Sequence, residues 1–161
     1  MNDELRVGIG LDAHAFSDDA ALVLGGVDFP GDLGLAGHSD GDVVAHALID
    51  AVLGAAGLGD IGELFPSNDP QWLDASSIRL LQRAYEVVRG AGWELVNADC
   101  VLIGEEPRIA PVRDAMRARL AGSMGVDLDR VTVRATTTDK LGFTGRGEGL
   151  AAQAVALLRR G

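Results

Sequence analysis

The apolar residues of this chain change period along its length, and that change restricts it to folds that pair helices with strands. From Asp42 to Leu53, the residues Val43, Ala47, Leu48, Ala51 and Val52 recur at helical spacing, with Gly54 and Gly57 near the stop. Val131-Thr132-Val133-Arg134-Ala135-Thr136 instead alternates as a half-buried strand does. Residues 5–11 read as a first strand, and residues 22–24 and 27–29 flank Gly25-Gly26 as a hairpin. A helix is expected over residues 74–88, a strand over 95–103, a helix from about 111 to 124 and a closing helix over 149–160. Residues 58–72 carry Gly, Pro and Asp and read as a long loop, which in a small domain is usually functional. The expected class is α/β (α+β): a two-layer sandwich, a mixed sheet with helices on one face, in a single domain over residues 1–161. Such a sheet leaves its other face to be covered, and with only 4% aromatic residues to fill it, self-association is expected.

Composition narrows the function classes. With 47% hydrophobic and 24% charged residues, the 161-residue chain is globular and can bury a core without staples. Lys and Arg number 14 against 24 Asp and Glu, a formal charge of -10, so no basic surface is available for nucleic acid or anionic membranes. Taken alone, that balance also disfavours a polyanionic substrate. The single cysteine, Cys100, sits in the apolar run Cys100-Val101-Leu102-Ile103 and reads as a buried strand thiol. Met1-Asn2-Asp3-Glu4 lacks the basic start of a signal peptide, and no apolar stretch approaches the ~20 residues that cross a bilayer. A cytoplasmic protein is expected.

All three histidines, His14, His38 and His46, fall in one region with Asp12, Asp40 and Asp42. On a strand, Asp12 and His14 point to the same face, and His46 lies in the expected helix among apolar neighbours that leave its ring in need of a partner. Three O/N ligands with an open position suit a catalytic divalent ion. If His38 and His46 shared a helix they would stand ~12 Å apart, too far for one ion. One of them therefore does something else, and Asp42, four residues before His46, competes as a carboxylate. A purely structural arrangement is the alternative: Ser39 or Asp40 caps the helix, His14 lies at the surface, and His46 is hydrogen-bonded in the core. A second candidate is the segment from Ala135 to Gly149, in which a strand ends in three threonines and a glycine-rich turn leads toward a helix. Hydroxyls and free backbone N–H groups there suit phosphate oxygens, and Asp139 suits a bridging Mg²⁺.

These pieces, in this order, resemble the 2-C-methyl-D-erythritol 2,4-cyclodiphosphate synthases of the non-mevalonate isoprenoid pathway. The carrying segments are Arg6-Val-Gly-Ile-Gly-Leu-Asp-Ala-His14, His38-Ser-Asp-Gly-Asp-Val-Val-Ala-His46, Leu58-Gly-Asp-Ile-Gly-Glu-Leu-Phe-Pro66 and the stretch from Ala135 to Glu148. The resemblance implies a phosphorus–oxygen lyase, a homotrimer with active sites between subunits, and release of CMP from a CDP-linked methylerythritol 2-phosphate. Asp12, His14 and His46 match the family's ligands for a divalent metal, usually zinc, which leaves His38 outside the metal. His38 and Ser39 match substrate contacts, and Thr137 matches a threonine that supports the transition state together with His38. Asp139 matches the carboxylate that holds Mg²⁺ or Mn²⁺ on the substrate diphosphate. Asp60, Ile61 and Gly62 match the ribose loop. Gly104, Glu105, Glu106, Pro107, Arg108, Ile109 and Ala110, with Thr136, match the cytidine pocket. Phe65, Asp69, Thr138, Phe143 and Arg146 complete the implied substrate set, and Asp12 and His14 also belong to it. Departures from the family pattern are Leu11 where an aromatic is common, Ser67-Asn68 after Phe65-Pro66, and Gln153 where Glu is frequent near a trimer axis. On this resemblance the acid excess changes meaning, because metals held by Asp12 and Asp139 turn local negative charge into attraction for phosphate.

Overall fold

β1 (Glu4–Ser17) begins one residue before the predicted first strand and runs six beyond it, so Asp12 and His14 lie inside a long strand rather than at its end. The computed structural model describes residues 3–160. Met1 and Asn2, part of the acidic N-terminus noted above, and Gly161 lie outside the described residues. A short hairpin follows, β2 (Val23–Leu24) and β3 (Val27–Asp28), turned by Gly25 and Gly26 at positive φ. Next come β4 (Gly34–Leu35), α1 (Val43–Ala56), α2 (Ile61–Leu64) and α3 (Ser77–Gly90). The second half comprises β5 (Glu94–Ile103), α4 (Arg113–Met124), β6 (Val131–Thr136), α5 (Gly142–Gly145) and β7 (Gly149–Arg160). The loop predicted over residues 58–72 holds α2 and one 3₁₀ turn at Pro70–Trp72.

The five-stranded sheet has the order β4-β1-β7-β5-β6. β5 and β6 are parallel and every other pair is antiparallel, so the sheet is mixed, with its helices on one side as expected. α1 lies on β1, β7 and β5, and α3 packs against both α1 and α4. Sandwiched in this way, α1 is buried around nearly its whole circumference.

The closing helix expected over residues 149–160 is instead β7, inserted between β1 and β5. Its alanines suggest a helix by propensity, but burial follows a period of two. Ala152, Ala154, Ala156 and Leu158 are buried against the helices, while Gln153 and Val155 are exposed on the other face. Both neighbours pair with it over almost their full lengths, so its backbone N–H and C=O groups are satisfied in the ladders.

The small side chains also let α1 come close. A Cβ at Gly8 would lie 2.1 Å from the Ala51 carbonyl oxygen, and one at Gly10 would lie 1.8 Å from that of Ala47. The outward face of β1 carries Leu5, Val7, Ile9 and Leu11, exposed by 59, 70, 62 and 66%. Leu11 therefore faces away from Asp12.

Asp42 caps α1, accepting from Ala45 N at 3.1 Å, and its two carboxylate oxygens also take the N–H groups of Gly25 and Gly26. It is thus neither a metal ligand nor replaced as the cap by Ser39 or Asp40. Burial pushes its carboxyl up to about 6, against the pull of those three N–H groups.

Replacing Gly10 with alanine forces α1 off the sheet. Overpacking against helix backbone is expected to cost about 2–3 kcal/mol, read from the urea midpoint at unchanged slope.

Candidate metal centre and flanking cavity

β1 and α1 are brought together by the glycine seam, and the site lies where that seam ends. Asp12 Oδ2 stands 2.9 Å from His14 Nε2 and 3.0 Å from His46 Nδ1. The two imidazole rings meet edge to face, 5.5 Å between centroids. One donor atom from each residue falls within 4.8 Å of the others, the only such His/Cys/Asp/Glu group of three among the described residues. His14 Nδ1 lies 2.6 Å from the Ala36 carbonyl and so donates its hydrogen there, which leaves Nε2 with a lone pair. That Nε2 is buried without a hydrogen-bond partner, its approach to Asp12 being one of distance only. An orphaned imidazole nitrogen, a second imidazole and a carboxylate, all facing one point, fit a divalent cation of the zinc type.

The charges agree with this. Burial alone would raise the Asp12 carboxyl, but the two histidines outweigh it and hold it below the usual carboxylate range. The Asp12 carboxylate in turn raises His14 above the ordinary imidazole value, against the effect of burial.

A cavity of about 560 Å³ opens over these three residues. His38, Ser39, Ile61, Gly62 and Phe65 line it, and Pro66, Ser67 and Asn68 also face it. His38 Nε2 lies 3.3 Å from the Asp69 carbonyl, while the Asp69 carboxylate caps the 3₁₀ turn and stays off the cavity lining. Asp60 caps α2, one of its carboxylate oxygens accepting from Glu63 N, and the residue is exposed. Trp72 and Leu80 complete the lining and were not picked out from sequence; Trp72 stacks edge-on against Phe65 at 4.9 Å. Asp50 was missed too. One turn beyond His46 on α1, it accepts from Ile61 N at 2.8 Å and so fixes the loop that carries Ile61 and Gly62. The spacing Asp42, His46, Asp50, with four residues at each step, was the available signal.

The other predicted residues gather elsewhere. Because β5 and β6 are parallel and register Ile103 with Thr136, the loops leaving both strands emerge at one edge. They enclose a second cavity, about 670 Å³, lined by residues 104–110 together with Thr136 and Thr137. Lys140 and Gly145 of the glycine-rich segment also line it, and so does Arg113, which no sequence motif marks. Asp139 and Lys140 hold positive φ of 50° and 67°, a costly conformation for residues with side chains. Lys140 N donates to Glu105 Oε1, which ties this turn to the facing loop. Thr138 is spent on the turn, donating to the Leu141 carbonyl at 2.6 Å, and the turn leads through α5 into strand β7 rather than into a helix. Thr138, Asp139, Phe143 and Arg146 line neither cavity, and Arg146 pairs with Glu148 at 2.8 Å. No residue lines both cavities.

Comparison with known proteins fits this geometry. Residues 5–159 match the model of the YgbB family. A relative from Rubrobacter xylanophilus, named 2-C-methyl-D-erythritol 2,4-cyclodiphosphate synthase, is 59% identical over 158 residues, covering 96% of this chain and 95% of its own length. Among solved structures, the bifunctional IspDF of Campylobacter jejuni superposes with a TM-score of 0.95 at 44% identity; the match covers 99% of this chain, which spans 43% of that longer protein. A 2C-methyl-D-erythritol-2,4-cyclodiphosphate synthase in its CDP-bound form superposes at 0.86 with 38% identity, over 95% of this chain and 99% of that one.

A proton and a cation compete for His14 Nε2. Because Asp12 raises His14, the protonated ring persists above the ordinary imidazole value and favours the metal-free fold until pH passes that raised value. The gain in melting temperature on adding Zn²⁺ is therefore expected to be small at pH 6 and to grow toward pH 8, measured by paired thermal melts.

Proposed function

The chain belongs to the YgbB family, and on that premise we propose that it cyclises 4-diphosphocytidyl-2-C-methyl-D-erythritol 2-phosphate to 2-C-methyl-D-erythritol 2,4-cyclodiphosphate with release of CMP. The carrying observation is the convergence of Asp12, His14 and His46 beneath a cavity large enough for a small phosphorylated polyol. An oxygen of the 2-phosphate attacks the β-phosphorus, the bond from that phosphorus to the oxygen bridging to CMP breaks, and CMP leaves with that oxygen. Since the nucleophile belongs to the substrate, the protein needs no covalent intermediate, and its work is to orient two repelling anions. A divalent cation at Asp12, His14 and His46, zinc in this reading, supplies charge neutralisation for the phosphates. Ser39 and His38 hold the methylerythritol 2-phosphate end from the cavity wall, and His38 acts with Thr137 on the charge that develops during transfer. The loop of Asp60, Ile61 and Gly62 takes the ribose. The loop of residues 104–110, with Thr136, takes the cytidine. Asp139 offers the lone carboxylate that suits Mg²⁺ or Mn²⁺ shared with a diphosphate, because such an ion keeps its remaining places for water and phosphate oxygens.

The active unit in this reading is a homotrimer of single-domain chains. Two observations support it. Leu5, Val7, Ile9 and Leu11 form an uncovered aliphatic stripe on the sheet face opposite the helices. In addition, the metal cavity and the cytidine-side cavity are separate within one chain, and a site between neighbouring subunits joins the first cavity of one to the second cavity of the next. No described helix is long and apolar enough to cross a membrane.

Incubation with the CDP-linked substrate and Zn²⁺ plus Mg²⁺ is expected to release CMP and a cyclic product of unchanged total mass. Mass spectrometry that finds one added water would identify a hydrolase instead. His46→Ala is expected to lose bound zinc, by elemental analysis, and to lower turnover at least a hundredfold.

A further inference from the structure

We infer that Ser77, held by Asp40, is a positioning residue for His46: it keeps the hydrogen of that ring on Nε2 and so reserves Nδ1 for a divalent cation. The inference rests on the metal-site reading above and deepens it, because neither Ser77 nor Asp40 belongs to the ligand set.

The direction of every hydrogen bond in this chain follows from its far end. The Asp40 carboxylate has no hydrogen to give and accepts three: from Asp42 N at 3.1 Å, from Ser77 N at 3.0 Å, and from the Ser77 hydroxyl in a short contact. With its only hydrogen committed to Asp40, Ser77 Oγ can offer His46 nothing but a lone pair. His46 Nε2 lies 2.7 Å from that oxygen and must therefore carry the hydrogen. The neutral ring then has one lone pair left, on Nδ1, and Nδ1 is the nitrogen that faces Asp12 at 3.0 Å. His14 reaches the complementary state by another route, its Nδ1 hydrogen given to the Ala36 carbonyl and its Nε2 left bare. The two imidazoles thus present opposite nitrogens to one point, each fixed by a different partner on its remote side.

Burial makes the arrangement selective. Ser77 is fully buried, so no water replaces its oxygen without opening the start of α3. Ser39 Oγ also lies near Nε2, at 3.0 Å, but no acceptor fixes the direction of its hydroxyl, so it tolerates either tautomer where Ser77 tolerates one. The loop carrying His38 is also tied to the segment that leads into α3: Asp40 N donates to the Ala75 carbonyl at 3.3 Å, and Asp74 N donates to the His38 carbonyl at 2.8 Å. Asp40 therefore aligns a ligand ring through its carboxylate and braces the loop beside it through its backbone. Partners remote from the metal that orient ligating imidazoles commonly change metal affinity by ~10–100-fold.

The test uses Zn²⁺ alone as the probe, with affinity measured by competition against a chromophoric chelator on the full chain. Ser77→Ala is expected to bind Zn²⁺ at least tenfold more weakly, while Ser77→Thr, which keeps the hydroxyl, recovers most of the loss. Equal affinity in wild type and Ser77→Ala, with binding lost in His46→Ala, overturns the positioning role and leaves the metal site standing. Unchanged binding in His46→Ala overturns the metal site and this inference with it. Should Ser77→Ala fail to fold, nitrogen-15 spectra of the Zn²⁺-loaded wild-type protein decide the matter. They are expected to show His46 ligated through Nδ1 with an exchange-protected Nε2–H, and ligation through Nε2 refutes the inference.

Discussion

Close contact between α1 and the sheet is the constraint on which the rest of the structure depends. Helix backbone and strand backbone meet at Gly8 and Gly10, where even a methyl group would collide with the carbonyls of Ala51 and Ala47. Beside them, Ala152, Ala154 and Ala156 of β7 keep the seam low. Ala47 is the neighbour of His46, and Gly10 lies two residues from Asp12, so the closest approach of the two elements is also what places His46 within 3.0 Å of Asp12. Interiors are close-packed, and a helix raised by one methyl group carries its side chains with it. The same small residues that build the core thus set the dimensions of the candidate metal centre.

This seam also explains what was legible in the sequence and what was not. Helix α1 was readable because its apolar positions keep the helical period and glycines lie at its end, and Asp12 with His14 was readable because parity on a strand is a local rule. β7 was misread because its alanines are small to admit α1, whereas propensity scores alanine as a helix former. Only the two open strand edges beside it, which lie far away in sequence, decide the matter. The cap of α1 was left open between neighbours for a related reason. Asp40 and Asp42 are two residues apart and chemically identical, yet one caps α1 and the other anchors the first residue of α3, thirty-seven positions away. Ser77 carried no local signal at all, since a serine near a helix start reads as ordinary capping.

The acid excess takes on a different meaning in the folded chain. Many of the aspartates around the metal centre are tied to donors. Asp42 takes the N–H groups of Gly25, Gly26 and Ala45, Asp40 takes Ser77, Asp50 takes Ile61, Asp60 takes Glu63 and Asp69 takes Gln71. Carboxylates bonded to backbone donors in this way act as the connectors of the loops around the cavity. Asp12 is the one carboxylate aimed between two imidazoles. A net charge of -10 therefore describes the surface and the loop braces, while the floor of the cavity gathers the three donor atoms that could hold a cation.

Division of labour within the sheet leads to the proposed assembly. Alternation along β1 sends Gly8, Gly10, Asp12 and His14 toward α1, and sends Leu5, Val7, Ile9 and Leu11 the other way. The same parity that builds the metal corner thus produces the uncovered aliphatic stripe, and neither can be changed by a shift of register without destroying the other. At the far edge, parallel pairing of β5 with β6 delivers Thr136 and the loop from Gly104 to a separate cavity, with Lys140 held in its left-handed turn by Glu105. Candidate metal ligands on the inner face of β1, an aliphatic stripe on its outer face and a separate recess beside β5 and β6 are what the proposed work beside copies of itself requires. On the proposed reading, covering the stripe is the same event as completing the site.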